Sequence, residues 1–199
     1  MNMLVQPAPL PEEMDRGYLG RIMRINGYRS PKDMVEAMAG HFGKEGKTRR
    51  EVTTHELLSR MAGMTTEHFA QRHTTMPLRR GITSYLPTLV HGAAERTSLL
   101  YVSGTLRKYP AAFFCEECVR ADMYFHGTSY WRRDLQTPGQ LWCPKHEEPL
   151  SFAAGADPFL TSPAEYGGKL GKIPLDWVTP AIRNVQVERF LDLATALYD

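Results

Sequence analysis

FFCEECVRADMYFHGTSYWRRDLQTPGQLWCPKHEEPL, Phe113 to Leu150, contains all three cysteines of the chain, Cys115, Cys118 and Cys143, and places His146 three residues after the last of them. The pattern is Cys-x-x-Cys, twenty-four residues, then Cys-x-x-His. Each two-residue gap lets a short turn aim both side chains at one point. Two such knuckles supply the four soft or borderline donors that tetrahedral zinc takes. The stretch reads as a small module built on one zinc ion.

Other readings of these residues are weaker. A disulfide would leave one of the three thiols unpaired, and the N-terminus carries no secretory pattern. A redox Cys-x-x-Cys needs a strand before it and a helix after it within an α/β chain, and the helix-rich stretch ahead of Cys115 does not suggest that. Three Cys and one His saturate the tetrahedron, leaving no open position for a water or substrate, so the zinc is structural rather than catalytic. His146-Glu147-Glu148 satisfies the His-x-Glu of nucleic-acid deaminases, but there that element precedes the cysteine pair; here it follows. His126 has no partner ligand at short spacing and reads as surface or as support behind the ligands. The aromatic residues Phe113, Phe114, Tyr124, Phe125, Tyr130, Trp131 and Trp142 read mostly as the core that the metal staples.

Further features of the stretch are more specific than the ligands. Tyr130-Trp131-Arg132-Arg133, the turn Pro138-Gly139, then Cys143-Pro144-Lys145-His146 and Pro149-Leu150 together resemble the TniQ family of transposition proteins. One local departure is Leu135, where the family usually has Trp. Two earlier segments carry the same resemblance in order: Leu19-x-Arg21-Ile22-x-Arg24-Ile25-Asn26-Gly27, and Arg60-Met61-Ala62-Gly63-Met64 followed by Met76-Pro77-Leu78. The resemblance covers about residues 1–150. Family members are often longer, with additional Cys-containing knuckles directly after this point, and none is present here.

The 199 residues, 42% hydrophobic and 23% charged with no long apolar run, describe a globular chain without a membrane span. The net charge of +2 does not announce a nucleic-acid binder, so any such surface must be local. No internal repeat, phosphate-binding glycine loop or Gly-x-Ser-x-Gly elbow is present, and the acids are scattered. The chain reads as a binder, not an enzyme.

After a proline-rich extended opening, Leu4 to Pro11, a helix is expected from near Pro11, with Glu12, Glu13 and Asp15 at its positive end. Met14, Tyr18, Ile22 and Ile25 form its apolar face, and Gly27 closes it. Ser30-Pro31-Lys32-Asp33 predicts a second start, followed by inward Met34, Val35, Met38 and Phe42. The segment GKEGKTRR over 43–50 reads as a solvated basic loop.

Thr53-Thr54-His55-Glu56 predicts a capping box, with Leu57, Leu58, Met61 and Ala62 facing the core. Gly63 breaks that helix, and Thr65 or Thr66 caps another carrying Phe69. The pattern over about 53–74 is that of a helix-turn-helix. Its second helix exposes Glu67, His68, Gln71 and Arg72, a poor set for neutralising phosphates, so Arg79 and Arg80 would have to help. Lys47, Arg49, Arg50, Arg72, Arg79, Arg80, Arg132 and Arg133 are the candidate contacts to nucleic acid or a partner. The histidines His41, His55, His68, His73 and His91 read as surface or capping residues.

Leu99-Leu100-Tyr101-Val102 fits either a strand or a helix. Asp122 to Gly127 reads as a loop, and Ser129 to Trp142 as two short extended pieces. Residues 151–180 are rich in Gly and Pro and read as a surface wrap or linker before a helix over Val185 to Leu197.

The expected fold is mainly α. A helical module with a helix-turn-helix spans 1–110, a small zinc-binding α+β module spans 111–150, and a linker with a C-terminal helix spans 151–199. The resemblance implies a non-catalytic adaptor of bacterial transposon target-site selection, acting in the cytoplasm and at the nucleoid. Such an adaptor links a target-recognising element, DNA itself or an RNA-guided CRISPR complex, to an AAA+ regulator and through it to the transposase, in some members as a dimer. The alternative is a zinc-stabilised helix-turn-helix transcription regulator.

Overall fold

A computed structural model of the chain describes residues 3–44, 51–78, 111–166 and 170–198. Residues 45–50, with Lys47, Arg49 and Arg50, and residues 79–110, with Arg79, Arg80, His91 and the 99–102 run, lie outside the described residues. The described part is mainly helical with one small sheet.

The first half consists of α1 (Asp15–Ile25), α2 (Pro31–His41), α3 (Thr54–Met61) and α4 (Thr66–His73). Local signals set most of their ends. The Asp33 amide donates to Ser30 Oγ at 3.4 Å ahead of α2, the Glu56 amide to Thr53 Oγ1 at 3.1 Å ahead of α3, and the His68 amide to Thr65 Oγ1 at 3.2 Å ahead of α4. Gly63 ends α3 at φ +65°, a left-handed conformation that costs a side-chain-bearing residue far more than glycine. The reciprocal half of the box before α3 is replaced, because the Glu56 carboxylate takes Arg60 at 2.7 Å, one turn along the helix.

Tyr18, Leu19 and Ile22 of α1, Met34 and Met38 of α2, Leu57 and Leu58 of α3 and Phe69 of α4 are fully buried in one cluster. Each such side chain contributes roughly 1.5–3 kcal/mol relative to exposure. Ile25, expected on the inward face, is 46% exposed in the last turn of α1.

α1 starts at Asp15, not near Pro11. The residues expected in its first turn are held elsewhere. The Met14 amide donates to the Trp131 carbonyl at 2.8 Å, and the Arg133 amide to the Glu12 carbonyl at 2.9 Å, so 12–14 runs antiparallel to 131–133 around a Glu13–Arg132 bridge. Glu13 is fully buried, with its carboxylate taking Arg21 Nε at 2.9 Å and Nη2 at 2.6 Å. A buried carboxylate has to be paired, and this bidentate partner one and a half turns into the helix holds it.

The sheet is antiparallel in the order β1-β2-β3, with β1 (Ala111–Phe114), β2 (Ser151–Ala154) and β3 (Gly171–Lys172). Phe113 faces Phe152 across the first pair, and Ser151 faces Lys172 across the second. This corrects the expected linker over 151–180, since β2 is the central strand and the boundary placed at 150 falls at the sheet. Phe159, from the same stretch, is buried against Trp131, with ring centroids 5.4 Å apart, in a cluster that also contains Met14, Ala112, Phe114 and Ala153. Whether the pieces between turns pair with a distant strand is a non-local matter that composition does not carry.

Asp122 to Gly127, expected as a loop, belongs to α5 (Glu116–His126), which Gly127 terminates at φ +68°. The helical pattern was hidden because Tyr124 and Phe125 are 95% and 80% exposed, so the apolar residues do not mark one inward face. The two extended pieces expected over 129–142 reduce to single bridges at Arg132 and Trp142, with a 3₁₀ turn at Asp134–Gln136 between them. Leu135 in that turn is buried and packs with the cysteines. α6 (Leu175–Ile182) and α7 (Val185–Tyr198) close the chain. No helix among the described residues is long and apolar enough to cross a membrane.

Candidate metal centre

β1 delivers Cys115 to the N-terminus of α5, where it is the capping residue, and Cys118 lies in the first turn of that helix. The opening knuckle is therefore strand, Cys-x-x-Cys, helix, contrary to the expectation of helix before Cys115. The second knuckle is a tight turn. The Cys143 amide donates to the Glu148 carbonyl at 2.8 Å and the Glu147 amide returns to the Cys143 carbonyl at 2.8 Å, with Trp142 bridged to Pro149. Glu147 takes φ +56° to make this reversal.

The donor atoms of Cys115, Cys118, Cys143 and His146 lie within 4.8 Å of one another. His146 Nδ1 is 3.4 Å from the sulfurs of Cys115 and Cys118 and 3.5 Å from that of Cys143, and the Cys118 and Cys143 sulfurs are 3.7 Å apart. A tetrahedron with metal–sulfur bonds of about 2.3 Å has sulfur–sulfur edges of roughly 3.8 Å and slightly shorter sulfur–nitrogen edges. The four positions fit such a tetrahedron, and the cluster can hold one metal ion. All three cysteines are free and buried. A disulfide requires sulfurs about 2.05 Å apart, which Cys118 and Cys143 are not. The strand and helix around Cys115 would suit a redox pair, but the convergence of a third sulfur and an imidazole marks a ligand set.

Without a cation, burial pushes the Cys118 thiol up, and the sulfurs of Cys115 and Cys143 add to this; the field of Arg132 works the other way. Three thiolates around a divalent ion carry one net negative charge. Arg132 is the nearby cation of opposite sign, fixed by Asp122 at 2.6 Å and by the face of Tyr130, 4.7 Å from its ring centroid. That placement was not legible in sequence, where Arg132 stands eleven residues from the nearest candidate ligand, Cys143, with nothing in the spacing to connect them.

The remaining candidates divide by location. Arg72 is exposed on α4. Arg133 is not a solvated cation: it is 3% exposed, ion-paired with Glu12 and hydrogen-bonded to the Gln71 carbonyl. Burial lowers the Arg133 pKa, while Glu12 favours its charged form. Both members of the expected Arg132–Arg133 basic pair are engaged within the fold, Arg132 half-buried against Asp122 and Arg133 buried against Glu12.

Two histidines expected as surface or capping residues are also buried. His55 Nε2 lies 3.3 Å from the Thr66 carbonyl and His73 Nδ1 2.9 Å from the Glu13 carbonyl, with both rings against Phe69. Burial depresses both, His73 to about 4, so they pack as neutral imidazoles. His126 is half-buried against Tyr130, with ring centroids 6.0 Å apart.

Among known proteins, the family profile named TniQ matches residues 4–150, roughly three quarters of the chain. No curated protein and no solved structure matches it. The matched segment begins at the buried Leu4, runs through the four-helix cluster and both knuckles, and ends at the buried Leu150. On that match, the chain belongs to the TniQ family.

Proposed function

We propose that this chain is a non-catalytic adaptor of transposon target-site selection whose fold is stapled by one structural zinc ion at Cys115, Cys118, Cys143 and His146. The observation that carries the reading is the family match over 4–150. Membership in TniQ implies a transposition-associated role. The linking task follows from that: one surface engages a target-recognising element, an RNA-guided CRISPR complex or DNA, and another engages an AAA+ regulator that recruits the transposase. The filled four-ligand set suits a structural metal, because zinc chemistry requires an open position.

In this reading α3 and α4 with their Gly63 turn act as a helix-turn-helix that contacts protein, within the chain, a second copy or a partner, rather than reading bases. Arg72 is the one Lys or Arg in α4, and Gln71 is occupied by the Leu197 and Tyr198 carbonyls at 3.3 and 3.2 Å. A base-reading helix needs such side chains free and several phosphate contacts beside them.

The test is binding of zinc-loaded protein to random duplex DNA across a salt series, with and without the AAA+ regulator. The adaptor binds duplex weakly alone and forms a complex once the regulator is added. Tight binding alone, falling steeply with salt, would instead establish a transcription regulator or a direct target reader.

A further inference from the structure

The second knuckle, the Asp134–Gln136 turn and the α6–α7 pair enclose an open cleft of ≈ 560 Å³. Its walls combine two kinds of side chain. Trp142, Ile182 and Leu191 supply apolar surface, and Asp134, Glu188 and Asp192 supply carboxylates. None of the described residues lining it is Lys or Arg. All three acids are exposed, and among the described residues no ion pair engages any of their carboxylates. The cleft is therefore an acidic site with an indole in its wall, and Arg132 and Arg133 offset part of the charge at Asp134.

We propose that this cleft is a docking surface for a partner protein's basic, apolar segment, in which an arginine or lysine enters between the carboxylates and lies against Trp142 while neighbouring aliphatic side chains cover Ile182 and Leu191. This deepens the adaptor reading, on which it rests for the occupant being a protein.

Charge complementarity sets the occupant's chemistry. A cation approaching Glu188 and Asp192 gains charge-assisted hydrogen bonds, and an indole face adds cation–π attraction in a partly desolvated site. Nucleic acid is disfavoured by the same charges, since phosphates would meet carboxylates on a wall that no Lys or Arg lines. A small free cation would use the carboxylates but leave the apolar wall wet. The hairpin that forms this wall also leaves Trp177, Val185 and Leu193 more than half exposed, as expected where a polypeptide rather than a small molecule covers the surface. Desolvation by the surrounding fold raises the Asp134 carboxyl above its usual value, with Arg132 and Arg133 pulling it back, while the residue itself stays exposed.

The test uses the zinc-loaded full chain and three short fluorescein-labelled peptides of repeating Leu-Arg, Ser-Arg and Leu-Glu, read by fluorescence anisotropy. The expected result is binding of Leu-Arg, weaker binding of Ser-Arg and none of Leu-Glu. Glu188→Gln with Asp192→Asn should weaken Leu-Arg binding about tenfold or more at unchanged melting temperature. In nitrogen-15 spectra the Trp142 indole signal should shift on Leu-Arg addition. Equal affinity of wild type and double variant, a Trp142 signal that does not move, or displacement of the peptide by duplex DNA would each overturn the proposal. Failure of the adaptor reading registers separately, as no capture of the AAA+ regulator by the wild-type chain while peptide binding persists.

Discussion

The guanidinium of Arg133 lies over the ring of Tyr198, with Cζ 4.1 Å from the ring centroid, while its edge pairs with Glu12 and donates to the Gln71 carbonyl. One side chain thus joins the segment before α1, the end of α4, the metal-binding stretch and the last turn of α7. Guanidinium suits the position because its planar edge presents several donors while its face remains free to stack.

Arg133→Ala should therefore destabilise the whole described fold rather than one module. Losing a buried pair costs about 3–5 kcal/mol, and because Glu12 is 40% exposed and can rehydrate, roughly 2–3 kcal/mol is expected here. Arg133→Lys should recover only part, since an ammonium cannot stack and fork at once. Urea denaturation of the zinc-loaded variants measures both. A loss below about half a kcal/mol for the alanine variant would show the junction to be incidental.

Elemental analysis should find one zinc per chain, and Cys118→Ser or His146→Ala should remove it. Structural zinc contributes about 10–16 kcal/mol of apparent binding free energy in small finger peptides, so metal loss should melt the knuckles and α5. Circular dichroism should report reduced helicity in both variants and in wild type treated with a strong chelator. Native helicity without metal would remove the structural role.

Stability should also depend on His73. Its pKa in the fold is about 4, against about 6.5 in an unfolded chain, so between these values the unfolded state binds the extra proton. The neutral-ring contribution is complete above about pH 6.5, falls as pH drops toward 4 and then levels off, a change on the order of 3 kcal/mol. Acid also releases zinc, so the informative quantity is the difference in urea midpoint between wild type and His73→Gln across this window. That difference should shrink as the pH is lowered, and a constant difference would show that His73 does not titrate with unfolding.

Gly20→Ala tests how closely α1 approaches the segment after β2. A Cβ at Gly20 would lie 2.7 Å from the backbone Cα and carbonyl oxygen of Leu160, which cannot rotate away as a side chain could. Overpacking of this kind costs about 1–3 kcal/mol, or a fall of roughly 2–12 °C in melting temperature for a chain of this size. An unchanged melting temperature would mean that the approach is loose.

The amino-acid order by itself determined what depends on short-range chemistry. Ser30, Thr53 and Thr65 mark helix starts because each hydroxyl satisfies an amide three residues away, and Gly27 and Gly63 mark ends through local backbone conformation. The convergence of the four candidate ligands was readable for the same reason, as two residues between donors leave few geometries other than convergence. Only the tertiary structure decided where charges and strands find partners across the chain. Arg133 reads as a surface cation beside Arg132, yet its partners are 121, 62 and 65 residues distant. Ser151–Ala154 reads as part of a linker, yet β1, forty residues earlier, makes it the centre of a sheet. The acidic cleft was invisible for the same physical reason: Asp134, Glu188 and Asp192 are unremarkable singly, and only packing α7 against the second knuckle sets their charges around one cleft.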